Sequence, residues 1–510
     1  MGKLKCLFIC QSVLILILII SLICMVGIFI ERDIIKNKVK ELIMQKETLT
    51  NGTMVYEAWS RSANATFLEF YLFTIQNREE FINGAELEIK EIGPFIYREV
   101  DLKLNVSWSK DLSMMTYYDN TTYIFEPDKS YGSDVTTNVT TVNLVMVGME
   151  MMLNKLKSKL AESIITSLLN LIGKEEILIT KSVREILWGY QDSLLNKLKN
   201  SFISNFVNIP TDIVQLQSNG TDQLLPTIIS TGVGNLNNLN QYIMWENQTS
   251  LDKWGSRKAR LLYGTDGHLF HPNISREENI TAFIDQIYRS GYFSYERDID
   301  VHGLNCYQYG IPYEEMANST INPQNKGFYS FGPSGLFNFT VYAPFNLPIF
   351  ISKPHFLDAD AIVFRNIIGL KPNRTKHDSY VNVEPLTGFV LGAAKQLQFN
   401  IQLNRSDTQK QMKNLREVLF PIFWASETGD ASKTDVAELK NTAFYALHMT
   451  DIVIYCSMGL CGLIVLVIIL CTLPMLYLQW KYYHNPNYVP LRNDFKEDWI
   501  YPPLLNSFRT

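Results

Sequence analysis

Asp266, His268 and His271 lie close together in the segment GTDGHLFHP, and carboxylate and imidazole groups are potential zinc ligands. The glycines and the proline of this segment indicate a turn, and no fourth ligand follows nearby. We therefore predict no metal site here and no cofactor. GxSxG, HExxH, P-loop and CxxC patterns are absent from the sequence, so it offers no catalytic residue and we predict that the protein is not an enzyme.

Five lysines make one predicted helical segment, residues 142–198, locally basic. They are candidates for binding anionic lipid particles or microbial surfaces, and the alternative is an ordinary solvated helix face. Lys155 and Lys159 share a helix side from which Lys157 points away. The five candidates are Lys155, Lys157, Lys159, Lys174 and Lys181.

The C-terminal segment contains two short patterns that adaptor proteins can bind as extended peptides. Tyr488 with Leu491 forms YVPL, and Tyr501 with Leu504 forms YPPL, which Leu505 follows. These patterns predict a clathrin adaptor as a cytosolic partner and sorting to endosomes or lysosomes, directly or through the plasma membrane or a phagosome.

The seven cysteines are distributed unevenly. Cys6, Cys10 and Cys471 lie near the ends of apolar runs and are candidates for palmitoylation, although small apolar residues need no such role there. Cys306 is the sole cysteine between the apolar runs, so no intrachain disulfide can form in that region. It could pair between chains, be reactive, or be buried as a free thiol.

Two uncharged apolar runs must position these residues relative to a membrane. The first, residues 7–30, would form roughly 36 Å of helix, enough to cross a bilayer, and it continues into a predicted amphipathic stalk to about Gln45. The second run, residues 452–478, lies in a predicted transmembrane segment at residues 451–479 and ends at aromatic and basic residues suited to the headgroup zone. We predict two transmembrane helices.

Lysine and arginine near the span ends predict the orientation. Lys3 and Lys5 precede the first span, and Lys481 and Arg492 follow the second, so residues 1–6 and 480–510 are predicted to be cytosolic. Residues 31–450 are then lumenal or extracellular, and all thirteen N-x-S/T glycosylation sequons lie there. Their asparagines are Asn51, Asn64, Asn105, Asn120, Asn138, Asn219, Asn247, Asn273, Asn279, Asn318, Asn338, Asn373 and Asn404.

Charge and periodicity limit the class of the region between the spans. With 46 basic against 51 acidic side chains, nucleic acid is excluded as a partner.

Alternating runs such as LEIKEIG, FIYREV, LKLNVSW and TTYIFEP predict strands, as do QYIMWEN, RKARLLYG and FVLGAAKQLQFNIQL later in the chain. Between them, residues 142–171 and SVREILWGYQDSLLNKL predict helices, the second with a Ser182–Glu185 capping box. Asn77 with Glu80 predicts a short capped helix. Strands, then helices, then strands favour an antiparallel α+β fold.

Several segments carry a resemblance to a known family. The stretch WSRSANATFLEFYLFTIQNREEFINGAELEIKEIGPFIYRE, with GPFIYRE at residues 93–99, resembles the N-terminal signature of the class B scavenger receptors. SVREILWGYQDSLL, MWENQTSLDKW, KPHFLDAD and REVLFPIFW continue the likeness in order over nearly the whole chain. LWGY and TDGHLFHP are most similar to the lysosomal integral membrane protein branch of that family.

The resemblance implies an antiparallel β-barrel ectodomain with an apical helical bundle, and an apolar tunnel through the barrel. It implies that ligands bind at the apex and that sterol, fatty acyl or phospholipid molecules pass along the tunnel toward the bilayer. Two features depart from the family. Tyr288 and the cysteine-free segment at residues 325–346 stand where relatives have disulfides, and residues 142–198 contain no histidine that could release a carried enzyme at acidic pH.

We therefore expect a lipid-binding and lipid-transporting receptor of endolysosomal or phagosomal membranes. The alternative is a cargo or adhesion receptor that binds a lumenal or extracellular protein, such as a lysosomal enzyme, without lipid transport. A two-span ion channel is disfavoured because the second span has few polar residues, and an anchored hydrolase has no supporting motif.

Overall fold

The structure is a computed structural model that describes residues 2–60, 66–156, 168, 170, 175–201, 204, 211–220, 224–328, 332–407 and 409–484. Its described α-helices are α1 (Gly2–Met44), α2 (Met54–Ser60), α3 (Arg78–Ile82), α4 (Leu144–Leu156), α5 (Val183–Trp188), α6 (Ser193–Lys199), α7 (Tyr313–Met316), α8 (Arg374–His377), α9 (Lys433–Leu439) and α10 (Tyr445–His484).

Strands dominate the region between the terminal helices, and their described pairings are antiparallel except for one short parallel pairing of residues 367–368 with residues 87–88. They are β1 (Phe67–Ile75), β2 (Leu87–Trp108), β3 (Met114–Phe125), β4 (Asn138–Val142), β5 (Leu178–Ser182), β6 (Tyr190–Gln191), β7 (Ile213–Val214), β8 (Pro226–Ser230), β9 (Tyr242–Met244), β10 (Ile280–Ile284), β11 (Arg289–Val301), β12 (Leu304–Gly310), β13 (Phe337–Asn338), β14 (Ile349–Ser352), β15 (Ile367–Ile368), β16 (Tyr380–Val383), β17 (Val390–Leu403) and β18 (Val418–Asp430).

One sheet runs in the order β10-β11-β12-β16-β17-β18-β1-β2-β3-β8-β9 and curls into a nearly closed barrel, which confirms the predicted α+β fold. The short segment Gly264–Thr265 lies between its two edge strands. Tyr242 N of β9 donates to Gly264 O, while Thr265 N donates to Thr281 O of β10 at 3.0 Å. Gly264 has φ +94°, and a Cβ there would lie 2.7 Å from the Ala282 backbone, so only glycine fits this close approach.

The three runs predicted from LEIKEIG to LKLNVSW form one long strand, β2, which is irregular where it pairs with β1 and β3. The prediction of a strand for RKARLLYG is wrong, because residues 257–264 form turns with a single bridge between Ser250 and Leu261. Its alternating pattern lacks a neighbouring strand that could complete a ladder.

The helical interruption is confirmed where it is described: α4 lies in the first predicted helix, of which residues 157–167, 169 and 171 lie outside the described residues. The Ser182–Glu185 capping box is present, but the single helix predicted after it is wrong: Gly189 adopts φ +119° and Asp192 caps a second helix. Helix α3 is present, whereas the Asn77 side chain does not cap it and instead bonds Glu86 O and Glu88 N across the turn. Buried side chains of α4, α5 and α6 share one hydrophobic cluster with β1, β2 and β18.

The terminal helices form a separate unit of residues 1–39 and 445–510. Two helical stretches, Ile9–Met44 and Lys433–Lys481, are long and apolar enough to cross a membrane. Helix α1 continues to Met44, as predicted for the stalk. Within the unit, Gln479 Nε2 donates to Gln11 Oε1 at 2.8 Å, and Lys36 pairs with Asp451.

Candidate functional site

The candidate site is a cavity of about 660 Å³ within the unit of residues 40–444. Its volume falls in the range of about 300–1,000 Å³ typical of small-molecule sites. Strands contribute most of its wall, since alternate residues of a strand point to the same face. The apolar part of the wall includes Ile284, Phe293, Ile311, Val381, Val390 and Leu397.

Charged side chains interrupt this apolar wall. Lys395 of β17 lies directly opposite Glu427 of β18 in the strand register, and their Nζ and Oε2 atoms are 2.6 Å apart. Glu99 of β2 and Asp285, which follows β10, face the same part of the cavity. This region of the wall is therefore charged, whereas the resemblance implied an apolar tunnel. We call Glu99, Asp285 and Glu427 the inner carboxylates.

Burial and the charge of Glu427 raise the pKa values of Glu99 and Asp285. Burial, with the negative charge of Glu427 and against the opposing effect of Lys395, raises the pKa of Glu99 to about 8. Burial, with the charge of Glu427, also raises the pKa of Asp285. Burial lowers the pKa of Lys395, but Glu427 and Asp285 outweigh that effect, so its pKa is raised and it stays charged.

A second lysine in the cavity wall is fully engaged by protein groups. Lys103 Nζ donates to Asp101 Oδ2 at 2.8 Å and to Asp119 Oδ1 at 2.5 Å. It also lies over the rings of Trp59 and Tyr117. Because burial is outweighed by the two carboxylates, the pKa of Lys103 is raised. Lys103 thus neutralises charges that belong to the wall itself.

The structure assigns other partners to the residues of the GTDGHLFHP segment. Asp266 accepts hydrogen bonds from Trp59 Nε1, Asn240 Nδ2 and His268 N, while His271 Nε2 lies 2.7 Å from Glu278 Oε1. Asp266 therefore links Trp59 of α2 to Asn240. Among the described residues, no group of three His, Cys, Asp or Glu side chains is placed to hold a metal.

The predicted ligand-binding lysines are only partly within the described region. Lys181 bonds Glu185 Oε1 at 3.0 Å and lies over the Tyr190 ring. Lys157, Lys159 and Lys174 lie outside the described residues, as does the Lys155 side chain. The tail residues Tyr488, Leu491, Tyr501, Leu504 and Leu505 lie outside them too, and so does the Cys6 side chain. Cys10 and Cys471 are exposed on the terminal helices.

The described sequon asparagines lie at the protein surface. Asn64 is outside the described residues, and none of the other twelve is buried. Exposure is what glycan attachment requires, and the use of these sequons stays a prediction.

A buried histidine cluster was not predicted from the sequence. His355 and His377 are 4% and 2% exposed, and their rings stack with centroids 4.5 Å apart. Lys371 N donates to His355 Nδ1, so the ring proton is on Nε2, which donates to Glu91 Oε2 at 2.6 Å. Trp424 Nε1 donates to the same oxygen at 2.7 Å. The segment KPHF contains His355, but it does not reveal the cluster. His355 and Phe356 adopt φ +54° and +58°, and such backbone angles cannot be read from the sequence.

Aromatic packing occupies the region where the resemblance implies disulfides. Tyr288 stacks on Tyr342 with ring centroids 4.2 Å apart, and it also contacts Phe339 and Trp245. Trp254 packs against Phe328, Phe337 and Tyr342 from the same cysteine-free segment. Cys306, by contrast, is a buried free thiol.

This barrel with two apolar terminal helices matches a known family. The CD36 family model matches residues 13–472. The chain belongs to the CD36 family. It is 29% identical to rat lysosome membrane protein 2 over 88% of this chain and 91% of that protein. It is 28% identical to the human lysosome membrane protein 2 over the same shares. Mouse scavenger receptor class B member 1 is 25% identical over 85% of this chain and 84% of the relative.

These similarities confirm the resemblance to the class B scavenger receptors and to their lysosomal branch. As a member of the CD36 family, the chain is a membrane protein, and its similarity to lysosome membrane protein 2 supports the predicted lysosomal or endosomal membrane location.

Proposed function

We propose that this protein is a receptor of endolysosomal or phagosomal membranes that binds a lipid in the barrel cavity and passes it toward the bilayer. The cavity of about 660 Å³ with its apolar wall is the observation that carries the proposal. Burying an alkyl chain against this wall would release about 25 cal/mol for each Å² of apolar surface removed from water. Sterol, fatty acyl and phospholipid molecules are the candidate ligands.

The test is to fill the cavity. Ala393 lies two residues before Lys395 on β17 and lines the cavity wall, so Ala393→Trp places a ring in the ligand space. Ala361, which is exposed and outside the wall, provides the matched control Ala361→Trp. The full chain in lipid nanodiscs is labelled with a photoreactive sterol and a photoreactive fatty acid, and cross-links are mapped by mass spectrometry.

We expect Ala393→Trp to lower labelling of cavity peptides by about tenfold, which corresponds to about 1.4 kcal/mol of binding free energy. Ala361→Trp should label like the wild type. Lipid binding in the cavity is contradicted if the wild type is not labelled there or if Ala393→Trp leaves the labelling unchanged.

The alternative, a cargo or adhesion receptor, gives the opposite result. Protein binding at residues 142–198 would survive Ala393→Trp, because the helices α4–α6 and the cavity wall are built from different residues. Retained binding of a lumenal protein together with absent lipid labelling would favour that alternative.

The membrane arrangement and the sorting signals belong to the same proposal. We propose cytosolic termini, a glycosylated region at residues 31–450 and adaptor binding through Tyr488 and Tyr501. Glycosidase treatment should reduce the apparent mass of the full chain. It should leave the mass unchanged in a variant whose sequon asparagines are replaced by Gln.

Tyr488→Ala with Tyr501→Ala should shift the protein from endolysosomes to the cell surface, and an unchanged distribution would argue against the tyrosine signals.

A further inference from the structure

The loop between β9 and β10 concentrates positive charge at the protein surface. Residues 253–260 include four cationic side chains and no carboxylate, in a chain whose net charge is -5. Runs of this length that are rich in Lys and Arg are a pattern of heparin-type polyanion patches. Lys326 of a neighbouring turn joins them, and all five cationic residues are exposed. We call these residues the basic patch: Lys253, Arg257, Lys258, Arg260 and Lys326.

Buried contacts fix the backbone of the basic patch. Trp254 is 1% exposed, and its Nε1 donates to Tyr288 O at 2.7 Å. Leu251 N donates to Arg260 O at 2.9 Å, which closes the loop. Arg260 Nε donates to Trp254 O at 2.7 Å, so the guanidinium of Arg260 has a defined orientation.

A contact with the neighbouring turn places Lys326 in the same patch. Gly255 N donates to Gly327 O at 3.1 Å, so Lys326 lies beside residues 253–260. The fold thus holds five like charges close together, and an approaching anion relieves their mutual repulsion.

Carboxylates of the chain do not neutralise the basic patch. Within the described part of the chain, none of the five cations forms an ion pair with a carboxylate. Glu315, in an adjoining segment, is paired with Arg289 at 3.1 Å. Even when the exposed carboxylates of Asp252 and Glu314 are counted, five cations face two anions. The patch therefore keeps an excess of positive charge.

The basic patch lies far along β11 from the point at which the chain continues into α10. Tyr288, which bonds Trp254, immediately precedes β11, and His302 immediately follows it. Lys440, five residues before α10, donates to His302 O at 2.7 Å. The 13 residues of β11 extend roughly 40 Å. This placement favours a partner from the lumenal or extracellular space over the chain's own bilayer.

The surroundings of the patch favour a narrow partner. A folded acidic protein needs an apolar interface core, but Leu261 is the sole large exposed hydrophobic side chain among residues 250–262, all of which are described. A lipid particle presents a broad surface, which predicted glycans at Asn247 and Asn318, six and eight residues before Lys253 and Lys326, would keep away. A linear polyanion needs no apolar core and passes between glycans.

We propose that the basic patch binds a linear anionic polysaccharide, such as a sulfated glycosaminoglycan chain. Its oxyanions contact Arg257, Lys258 and Arg260 in turn, and the arginine guanidinium groups bind each oxyanion through two parallel N–H···O bonds. None of the five cations lines the cavity. This surface therefore acts independently of the proposed lipid binding.

The experiment measures binding of a fluorescent heparin oligosaccharide by fluorescence anisotropy, with the full chain in phosphatidylcholine nanodiscs. The patch variant removes three exposed cations that make no described contact with another side chain. Lys253 and Arg260 are kept because they contact the Tyr342 ring and Trp254 O. The three changes are Arg257→Gln, Lys258→Gln and Lys326→Gln.

A matched control variant removes the same charge elsewhere on the surface. It replaces three exposed lysines outside the patch: Lys110→Gln, Lys410→Gln and Lys413→Gln. Thermal unfolding of both variants should match the wild type, because exposed side chains without buried contacts contribute little to stability.

We expect the oligosaccharide to bind the wild type, and the patch variant to raise its dissociation constant at least about tenfold. The control variant should change it by less than about twofold. Added salt should weaken wild-type binding more steeply than binding by the patch variant, because salt screens contacts that the variant lacks.

Phosphatidylserine vesicles and polyglutamate test the other two partner classes. If either binds through the patch as strongly as the oligosaccharide does, the polysaccharide assignment has failed. The proposal is also overturned if the oligosaccharide does not bind the wild type, or if the patch and control variants lose binding equally, which would show a response to net charge alone.

Discussion

The cavity wall and the histidine cluster both contain ionisable groups inside the region of residues 40–444. They differ in whether hydrogen bonds or burial determine the pKa of their glutamates. In the histidine cluster, Glu91 receives bonds from His355 and Trp424, and these outweigh burial to lower its pKa. In the cavity, burial dominates and raises the pKa of Glu99 to about 8, and Glu99 Oε2 has no hydrogen-bond partner within the described part of the chain. A satisfied cluster stabilises the fold, whereas an unsatisfied one is available to a ligand.

The two regions should also respond oppositely to acid. Burial and the neighbouring His355 lower the pKa of His377 to about 4, so protonation of this ring opposes folding. The raised pKa of Glu99 means that protonation favours the folded state. Acidification in an endolysosome would then weaken one region and strengthen the other, and the following variants test this contrast.

The largest effect is expected when Glu91 is removed. Glu91→Ala leaves His355 Nε2 and Trp424 Nε1 buried without their shared acceptor, which should lower the free energy of unfolding by about 3–5 kcal/mol. Thermal unfolding of the full chain measures this loss. Glu88→Ala, an exposed carboxylate on the same strand, is the control and should change little. Equal effects of the two variants would show that the cluster does not stabilise the fold.

The pH dependence of His377 should be the next largest effect. Its pKa is about 4 in the folded state and about 6.5 when unfolded, so the unfolded state binds more protons between these values. Stability should therefore fall by about 3 kcal/mol as the pH drops from 6.5 to 4. The groups facing the ring are His355, Glu91 and Lys376.

His377→Asn retains an acceptor for Asn373 N but removes the titration. Melting temperatures measured from pH 7 to pH 4.5 should fall less steeply in this variant than in the wild type, even if its stability at neutral pH is lower. A parallel pair of curves would contradict this role of His377.

Glu99 should show a smaller effect of opposite sign. Its pKa of about 8 exceeds the unfolded value of about 4.3, so the folded state binds more protons and stability is lost as the pH rises toward 8. Glu427, Lys395, Asp101, Asp285 and Tyr123 face this group. Glu99→Gln mimics the protonated form and should raise stability at pH 7 by about 2 kcal/mol, allowing for solvent in the cavity.

The same variant should approach wild-type stability at about pH 3, which lies well below the unfolded pKa of about 4.3, because Glu99 is then protonated in both states. Thermal unfolding at the two pH values provides the measurement. A gain of equal size at both would point to packing rather than to titration.

An exposed pair provides the baseline of the comparison. Lys181 and Glu185 are four residues apart and partly solvated, so Lys181→Ala should change stability by less than about 0.5 kcal/mol. Thermal unfolding at low and high salt checks this. A loss of more than about 1 kcal/mol would mean that surface pairs contribute as buried ones do.

Much of the fold was predictable because it depends on local patterns. The two apolar spans, the helical interruption with its Ser182 cap and the long strands follow from periodicity and capping. RKARLLYG failed as a strand because alternation requires a pairing partner, which the sequence cannot supply. The helix predicted through Gly189 failed because Gly189 adopts φ +119°, and a Cβ there would lie 3.1 Å from Ile213 Cγ2.

The candidate site was predictable only in part. The resemblance implied a cavity, but Glu99, Lys395 and Glu427 are each ordinary charges on alternating strands until the register brings Lys395 opposite Glu427. His355 and His377 are separated along the chain, and a turn with left-handed φ values stacks them. Neither cluster leaves a short motif in the sequence.

By itself the sequence determined the apolar spans, the placement of all sequons between them and the antiparallel α+β class, because hydropathy and periodicity act through neighbouring residues. Only the tertiary structure decided which charges face the cavity, which are neutralised and which stay unpaired. The physical reason is that pairing and desolvation depend on side chains brought together from distant strands, so burial and charge balance exist only once the barrel has formed.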